Sequence, residues 1–232
     1  MTPEQLRKSC EQWNLDPDAE MMEQLDVYSR LLREWNEKIN LTAITDPEEI
    51  IEKHFYDSLV PLSLCQIQGT FADVGSGAGF PGLVWKIARK DLEAVLIEPT
   101  AKRCRFLEEV IRTLHLEHVT VVNERAEEHV RNHREAYDCV TARAVANMRV
   151  LSELCIPLVK KGGIFLAMKG ANGEAEAEEA QHAVQVLGCS APDVYRYELP
   201  GGDARVDLIL TKERKTPEIY PRNYGTIKKK PL

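Results

Sequence analysis

The chain has 232 residues, 44% hydrophobic and 29% charged, the composition of a soluble globular protein of one domain with a modest extension. No apolar run approaches the roughly 20 residues that span a bilayer. The polar start Met1-Thr2-Pro3-Glu4 lacks a signal-peptide core, so a cytosolic protein without a membrane partner is expected. The net charge of −7 argues against wholesale electrostatic binding of nucleic acid, and the six cysteines show no Cys-x-x-Cys spacing, so neither a metal nor disulfides are expected.

The first sixty-odd residues read as helix. Asp16-Pro17 predicts a helix start, with Asp as N-cap and Pro at the first helical position. Leu25, Tyr28, Leu32, Trp35 and Ile39 follow at three- and four-residue steps, one apolar stripe. Asp46-Pro47-Glu48-Glu49 predicts a second start in a capping-box pattern, with Ile51, Phe55, Leu59 and Leu62 as its apolar face.

From residue 70 short apolar runs alternate with helical stretches. Strands are predicted at 70–74, 94–98, 119–123, 138–142 and 163–168, with helices at 81–89, 102–114 and 148–159 between them. Continuous apolar strands separated by helices imply a parallel sheet covered on both faces. An acidic helix is predicted at 174–187, then strands at 195–199 and 206–211 joined by the turn sequence Pro200-Gly201-Gly202-Asp203. The sheet is therefore expected to close in an antiparallel hairpin. The domain reading is a helical extension at 1–66, an α/β core at 67–212 and a basic tail at 213–232. From 212 to the end, seven basic residues stand against two acidic ones. Such a tail suits a polyanion contact, and a solubilising terminus explains it equally well.

The central motif is Asp73-Val74-Gly75-Ser76-Gly77-Ala78-Gly79-Phe80-Pro81-Gly82. It follows the first strand of the core and opens a helix, at the carboxyl edge where open α/β sheets bind ligands. Glycine lets the main chain turn sharply and approach a ligand closely. Gly77-x-Gly79-x-x-Gly82 also satisfies the dinucleotide fingerprint, so NAD and S-adenosylmethionine compete for this loop. Asp73 tips the balance: a carboxylate there repels a pyrophosphate but attracts the amino group or sulfonium of S-adenosylmethionine. Glu98, at the end of the second strand, suits a ribose diol in either cofactor. Ala126 and Glu127 follow the third strand, placed for an adenine, although a helix N-terminus also favours Glu.

The chain also resembles one family. Asp73 to Gly82, Ile97-Glu98-Pro99-Thr100-Ala101-Lys102-Arg103-x-Arg105-Phe106-Leu107, Thr141-Ala142-Arg143-Ala144 and Met168-Lys169-Gly170 are similar to the bacterial RsmG (GidB) family. So are Trp35-Asn36-x-x-Ile39-Asn40-Leu41-Thr42, His54-Phe55-x-Asp57-Ser58-Leu59 and the tail from Tyr220 to Leu232. The resemblance implies a Rossmann-like methyltransferase fold with a mostly parallel seven-stranded sheet, and guanine-N7 methylation of small-subunit (16S) ribosomal RNA. It further implies cofactor contacts at Gly75, Phe80, Glu98, Pro99, Thr100, Ala126, Glu127 and Arg143. Glu98 departs from the Asp of some members.

Guanine N7 carries a free lone pair, so its alkylation needs no general base, and the sequence shows no convincing base or nucleophile triad. Arg143 is expected to orient cofactor or substrate, or else to pair with Asp73 or Glu98. Lys169, Arg222, Lys228, Lys229 and Lys230 are candidates for RNA phosphates. His54 and Asp57 read first as a local helix pair. The expected partner is the ribosomal RNA or the small-subunit particle, met by a monomer. An NAD-dependent oxidoreductase and a non-catalytic RNA-binding module are the alternatives.

Overall fold

The computed structural model describes residues 1–232. The helical extension comprises α1 (Pro3–Glu11), α2 (Ala19–Ile39), α3 (Pro47–Ile50), a π-helical segment (Ile51–Tyr56), α4 (Asp57–Leu59) and α5 (Pro61–Leu64). The core continues as β1 (Thr70–Val74), α6 (Gly82–Ala88), β2 (Glu93–Ile97), α7 (Ala101–Thr113), β3 (Val119–Val122), α8 (Ala126–His133), β4 (Tyr137–Arg143), α9 (Met148–Cys155) and β5 (Val159–Gly170). It ends with α10 (Gly173–Glu179), α11 (Gln181–Leu187), β6 (Asp193–Glu198), β7 (Ala204–Thr211) and α12 (Tyr224–Lys229).

The seven strands form one sheet in the order β3-β2-β1-β4-β5-β7-β6. β1, β2, β3, β4 and β5 pair in parallel, and β7 runs antiparallel between β5 and β6. The sequence expectation of a parallel sheet closed by a hairpin holds. Strand order reverses between β1 and β4, which makes the crevice above their carboxyl ends the topological switch point.

Period-two alternation sends the two sides of each strand to different cores. Ala72 and Val74 of β1 join Val140, Phe165 and Leu208 under α8, α9, α11 and α12. Phe71 joins Trp85, Leu166 and Met168 on the opposite face. There the extension packs on α6 and α7 through Leu25, Tyr28, Phe55, Leu83 and Phe106. No helix is long and apolar enough to cross a membrane.

Several boundaries differ from the sequence expectation. The N-cap of α2 is Asp18, whose side chain accepts from the Met21 amide, and Asp16-Pro17 lies just before it. Asp16 has the following proline that marks a start, but it is Asp18 that has its carboxylate over the free amides. Asp46 does cap α3, accepting from the Glu48 and Glu49 amides. The helix expected at 174–187 breaks at Ala180 into α10 and α11. The tail forms α12, capped by Asn223, with Ile227 fully buried against α9.

Candidate active site

β1 delivers Asp73 to the floor of the crevice. The carboxyl is fully buried; Oδ2 accepts from the Gly82 amide at 3.0 Å, and Oδ1 has no partner. Burial pushes this carboxyl up to about 7, against the pull of the Gly82 hydrogen bond and of the Arg143 charge. An acid left half-unpaired in the interior is destabilising unless a ligand completes it.

The loop above it needs glycine for two reasons. Gly75, Gly77 and Gly79 hold φ of 70°, 57° and 93°. Gly82 has no room for a side chain: a Cβ there would stand 2.5 Å from Leu96 and 2.7 Å from the Asp73 carboxylate. Gly77 is different, because its Cβ would meet nothing closer than the Gly75 oxygen at 3.7 Å. That position is open toward the crevice.

Glu98 is buried at the end of β2. Its Oε2 accepts from the Gly77 amide at 2.9 Å and its Oε1 from the Thr100 amide at 2.8 Å. The carboxylate therefore ties the first two loops together, and each oxygen keeps one lone pair for a hydroxyl. Pro99 and Thr100 are exposed beside it, Ala126 is buried at the start of α8, and Glu127 is half-exposed. These residues follow β1, β2 and β3, which are neighbours in the sheet, so their loops share one edge.

Arg143 ends β4 on the other side of the switch point. It does not pair with Asp73 or Glu98. Its Nη1 donates to Asp57 Oδ2 at 3.0 Å and to the Lys53 carbonyl at 2.9 Å, and its Nη2 meets His54 Nδ1 at 3.1 Å. The same Nδ1 lies 3.1 Å from the Lys53 carbonyl, and Nε2 faces the Thr42 hydroxyl at 2.9 Å. Burial and the Arg143 charge hold His54 down at about 3, so it is neutral at physiological pH. Its ring stacks on Phe80 at 4.4 Å between centroids, and the Arg143 guanidinium also lies over Phe80, at 5.0 Å. Phe80 of the glycine loop is thus clamped between core and extension.

Asp57 joins a second cation. Its Oδ1 accepts from Arg205 Nε at 2.9 Å and from the Tyr197 hydroxyl at 3.3 Å. The reading of His54 and Asp57 as a local pair is therefore corrected: the two side chains meet through Arg143, which each of them contacts. Lys53 and His54 belong to the π-helical segment, a local irregularity common at functional sites. Lys53, His54, Asp57, Arg143, Val145, Lys169, Glu176 and Arg205 line a cleft of about 520 Å³ at this edge.

Two of the cations expected to meet phosphate are engaged within the chain. Lys169 is buried, 2.7 Å from Glu176 and 2.7 Å from the Ala146 carbonyl. Arg222 grips fully buried Glu153 through Nε and Nη2, and its own amide donates to the same carboxylate at 2.8 Å. That guanidinium anchors the tail, while Lys228, Lys229 and Lys230 remain exposed.

The donor set fits S-adenosylmethionine. The unpartnered buried acid lies on the floor, the amide-rich loop curls over it, and a carboxylate stands at the end of the second strand. A pyrophosphate would meet Asp73 at the same place, with unfavourable charge.

Comparison with known proteins agrees. Residues 21–198 match the family model GidB, described as rRNA small subunit methyltransferase G. The ribosomal RNA small subunit methyltransferase G of Desulfitobacterium hafniense (strain Y51) is 46% identical over 97% of this chain and 95% of that protein. The protein of the same description from Staphylococcus aureus (strain Newman) is 43% identical over 100% of this chain and 99% of its own. Among solved structures, a SAM-dependent O-methyltransferase from Thermotoga maritima shares the fold with a TM-score of 0.53 at 16% identity, covering 80% of this chain and 73% of that one. A T. thermophilus 16S rRNA N2 methyltransferase in complex with AdoMet and guanosine has a TM-score of 0.51 at 17% identity, covering 69% of this chain and 39% of that one.

Proposed function

The chain belongs to the GidB family of rRNA small subunit methyltransferases, and on that premise we propose that it moves the methyl group of S-adenosylmethionine to N7 of a guanine in small-subunit ribosomal RNA. The observation that carries the cofactor reading is the buried Asp73, with Oδ1 unpartnered beneath the glycine loop. We read residues 67–212 as the catalytic domain, 1–66 as an extension completing its substrate side, and 213–232 as the tail, acting as a cytosolic monomer.

S-adenosylmethionine, when bound, supplies an electrophilic methyl group on a positively charged sulfur. The N7 lone pair forms the new bond, the sulfur keeps the old bonding pair, and no proton leaves the base. The protein therefore needs no general base and contributes chiefly placement, worth up to ~7–11 kcal/mol in favourable cases. Asp73, Gly75, Gly77, Gly79 and Phe80 would hold the cationic end, Glu98, Pro99 and Thr100 the ribose, and Ala126 and Glu127 the base. Arg143, locked by Asp57, the Lys53 carbonyl and His54, presents a fixed positive wall to the cleft. A bidentate grip by Arg143 on O6 and N7 would block the attacking atom, so its role is orientation from the side. Exposed Lys228, Lys229 and Lys230 are placed for phosphate.

The test is transfer of labelled methyl groups from S-adenosylmethionine to small subunits from a strain lacking the protein. Incorporation into ribosomal RNA is expected. Tight binding of NAD without transfer would favour an oxidoreductase, and no transfer with retained RNA binding would favour a non-catalytic module.

A further inference from the structure

Two carboxylates line the cleft: Asp57, with both oxygens taken by Arg143, Arg205 and Tyr197, and Glu176, which keeps one oxygen free. Glu176, on α10, lines the wall facing Arg143 and is 26% exposed. Its Oε2 accepts from the Met148 amide at 3.0 Å and lies 2.7 Å from the Lys169 ammonium. Lys169 is itself fixed by the Ala146 carbonyl at 2.7 Å. One oxygen is thus locked at two points. The other, Oε1, has no partner in the chain and keeps both lone pairs for an occupant of the cleft.

A structural salt bridge accounts for Oε2 and leaves Oε1 of this cleft-lining residue without a protein partner. A phosphate there would meet a negative oxygen. The base edges are more selective. Adenine and cytosine each present a donor beside an acceptor on the Watson–Crick edge, and that acceptor faces a carboxylate with its own lone pair. Uracil presents one donor between two acceptors. Guanine alone presents two adjacent donors, N1–H and the N2 amine, which match the free lone pairs of Oε1. Its N7 lies on the opposite edge of the purine and stays free. Val145 adds an apolar contact at the same mouth: it is 37% exposed, lines the cleft, and its Cγ2 lies 2.7 Å from where a Gly75 side chain would begin. A base seated against Val145 is therefore next to the glycine loop.

We infer that Glu176 is the guanine-reading residue of the cleft, held in place by Lys169 and accepting from N1–H and the N2 amine through Oε1. This rests on the methyltransferase reading above. It also gives Glu176 a share in rate. Methylation at N7 moves a positive charge onto the base, which makes N1–H a stronger donor. The contact with Glu176 therefore tightens as the methyl is transferred, the differential binding that lowers a barrier.

The experiment titrates the full-length enzyme, saturated with S-adenosylhomocysteine, with guanosine, inosine and 1-methylguanosine 5′-monophosphates by NMR. Inosine lacks the N2 amine, and 1-methylguanosine lacks the N1 proton. The unmodified enzyme should bind the guanosine nucleotide about tenfold or more tightly than either, the scale of one hydrogen bond to a charged group. In Glu176→Gln the preference should fall to about one, and kcat on small subunits should drop with S-adenosylhomocysteine affinity unchanged. Equal affinities in the unmodified enzyme overturn the inference without any variant, and so does a preference that survives Glu176→Gln. Methyl transfer by the unmodified enzyme without such discrimination removes Glu176 from recognition and leaves the reaction standing. Discrimination without transfer does the opposite.

Discussion

Replacing Asp57 by alanine removes the carboxylate that joins the helical extension to Arg143 and Arg205 at the edge of the sheet. Asp57 is 3% exposed and contacts Arg143 at 3.0 Å and Arg205 at 2.9 Å. The variant leaves two guanidinium groups, 15% and 20% exposed, facing each other across an empty position. Breaking a buried ion pair from one side is worth roughly 3–5 kcal/mol. Arg143 keeps the Lys53 carbonyl and Arg205 keeps Asp203 at 3.8 Å, so the lower end, about 3 kcal/mol, is the better figure here. For a chain of this size each kcal/mol moves the melting temperature by about 2–4 °C, which predicts a fall of about 6–12 °C. Scanning calorimetry at pH 7.5 measures it. Arg143 is also released from its fixed position, so kcat/KM on small subunits should fall beyond what the unfolded fraction explains. A melting temperature within about 1 °C of the unmodified protein, with normal turnover, would refute the view that this network joins extension to site.

Other outcomes follow from the same geometry. Asp73 has a raised pKa in the folded chain, so its favourable contribution is complete below its unfolded value and is lost as pH rises through about 7; Asp73→Asn should flatten the stability profile between about pH 4 and 7, and calorimetry in paired buffers should show cofactor binding releasing a proton near pH 6 but not near 8.5. Gly82→Ala meets Leu96 and Asp73 and should unfold readily, whereas Gly77→Ala, with open space but φ of 57°, should lose about 1–2 kcal/mol of stability and most of its S-adenosylhomocysteine affinity, compared by melting and titration. Arg222→Ala strands fully buried Glu153 and should destabilise the fold by ~3 kcal/mol in denaturant melts. Replacing Lys228, Lys229 and Lys230 together by Gln should leave melting unchanged and reduce the salt dependence of RNA binding by about two to three in the log–log slope.

Much of the fold was legible because its signals are local. β1 has the bounds its apolar run predicts, and the turn that follows it is written in glycines. Asp73 and Glu98 could be singled out because each follows from its place at a strand end. The electrostatic network was less legible. Arg143 finds Lys53, His54 and Asp57 across 86 to 90 residues of chain, and Asp57 finds Arg205 across 148. The i and i+3 spacing of His54 and Asp57 signalled a shared helix face, but nothing local named its partner. Lys169 looked free because Glu176 lay in a stretch read only as an acidic helix, with nothing in it to name a partner. Arg222 looked free because a basic tail hides which of its charges is an anchor, and Glu153 carries no mark of burial in sequence. α12 is six residues long, too short for periodicity to reveal. Nothing near Ala180 announces the break between α10 and α11.

Borohydride reduction followed by aniline scission of ribosomal RNA tests the central claim most directly, because it cuts only where guanine carries a methyl at N7. RNA from cells with the gene should break at one small-subunit position that is intact in cells without it, and the purified protein with S-adenosylmethionine should restore that break. Identical scission patterns with and without the gene would contradict the account.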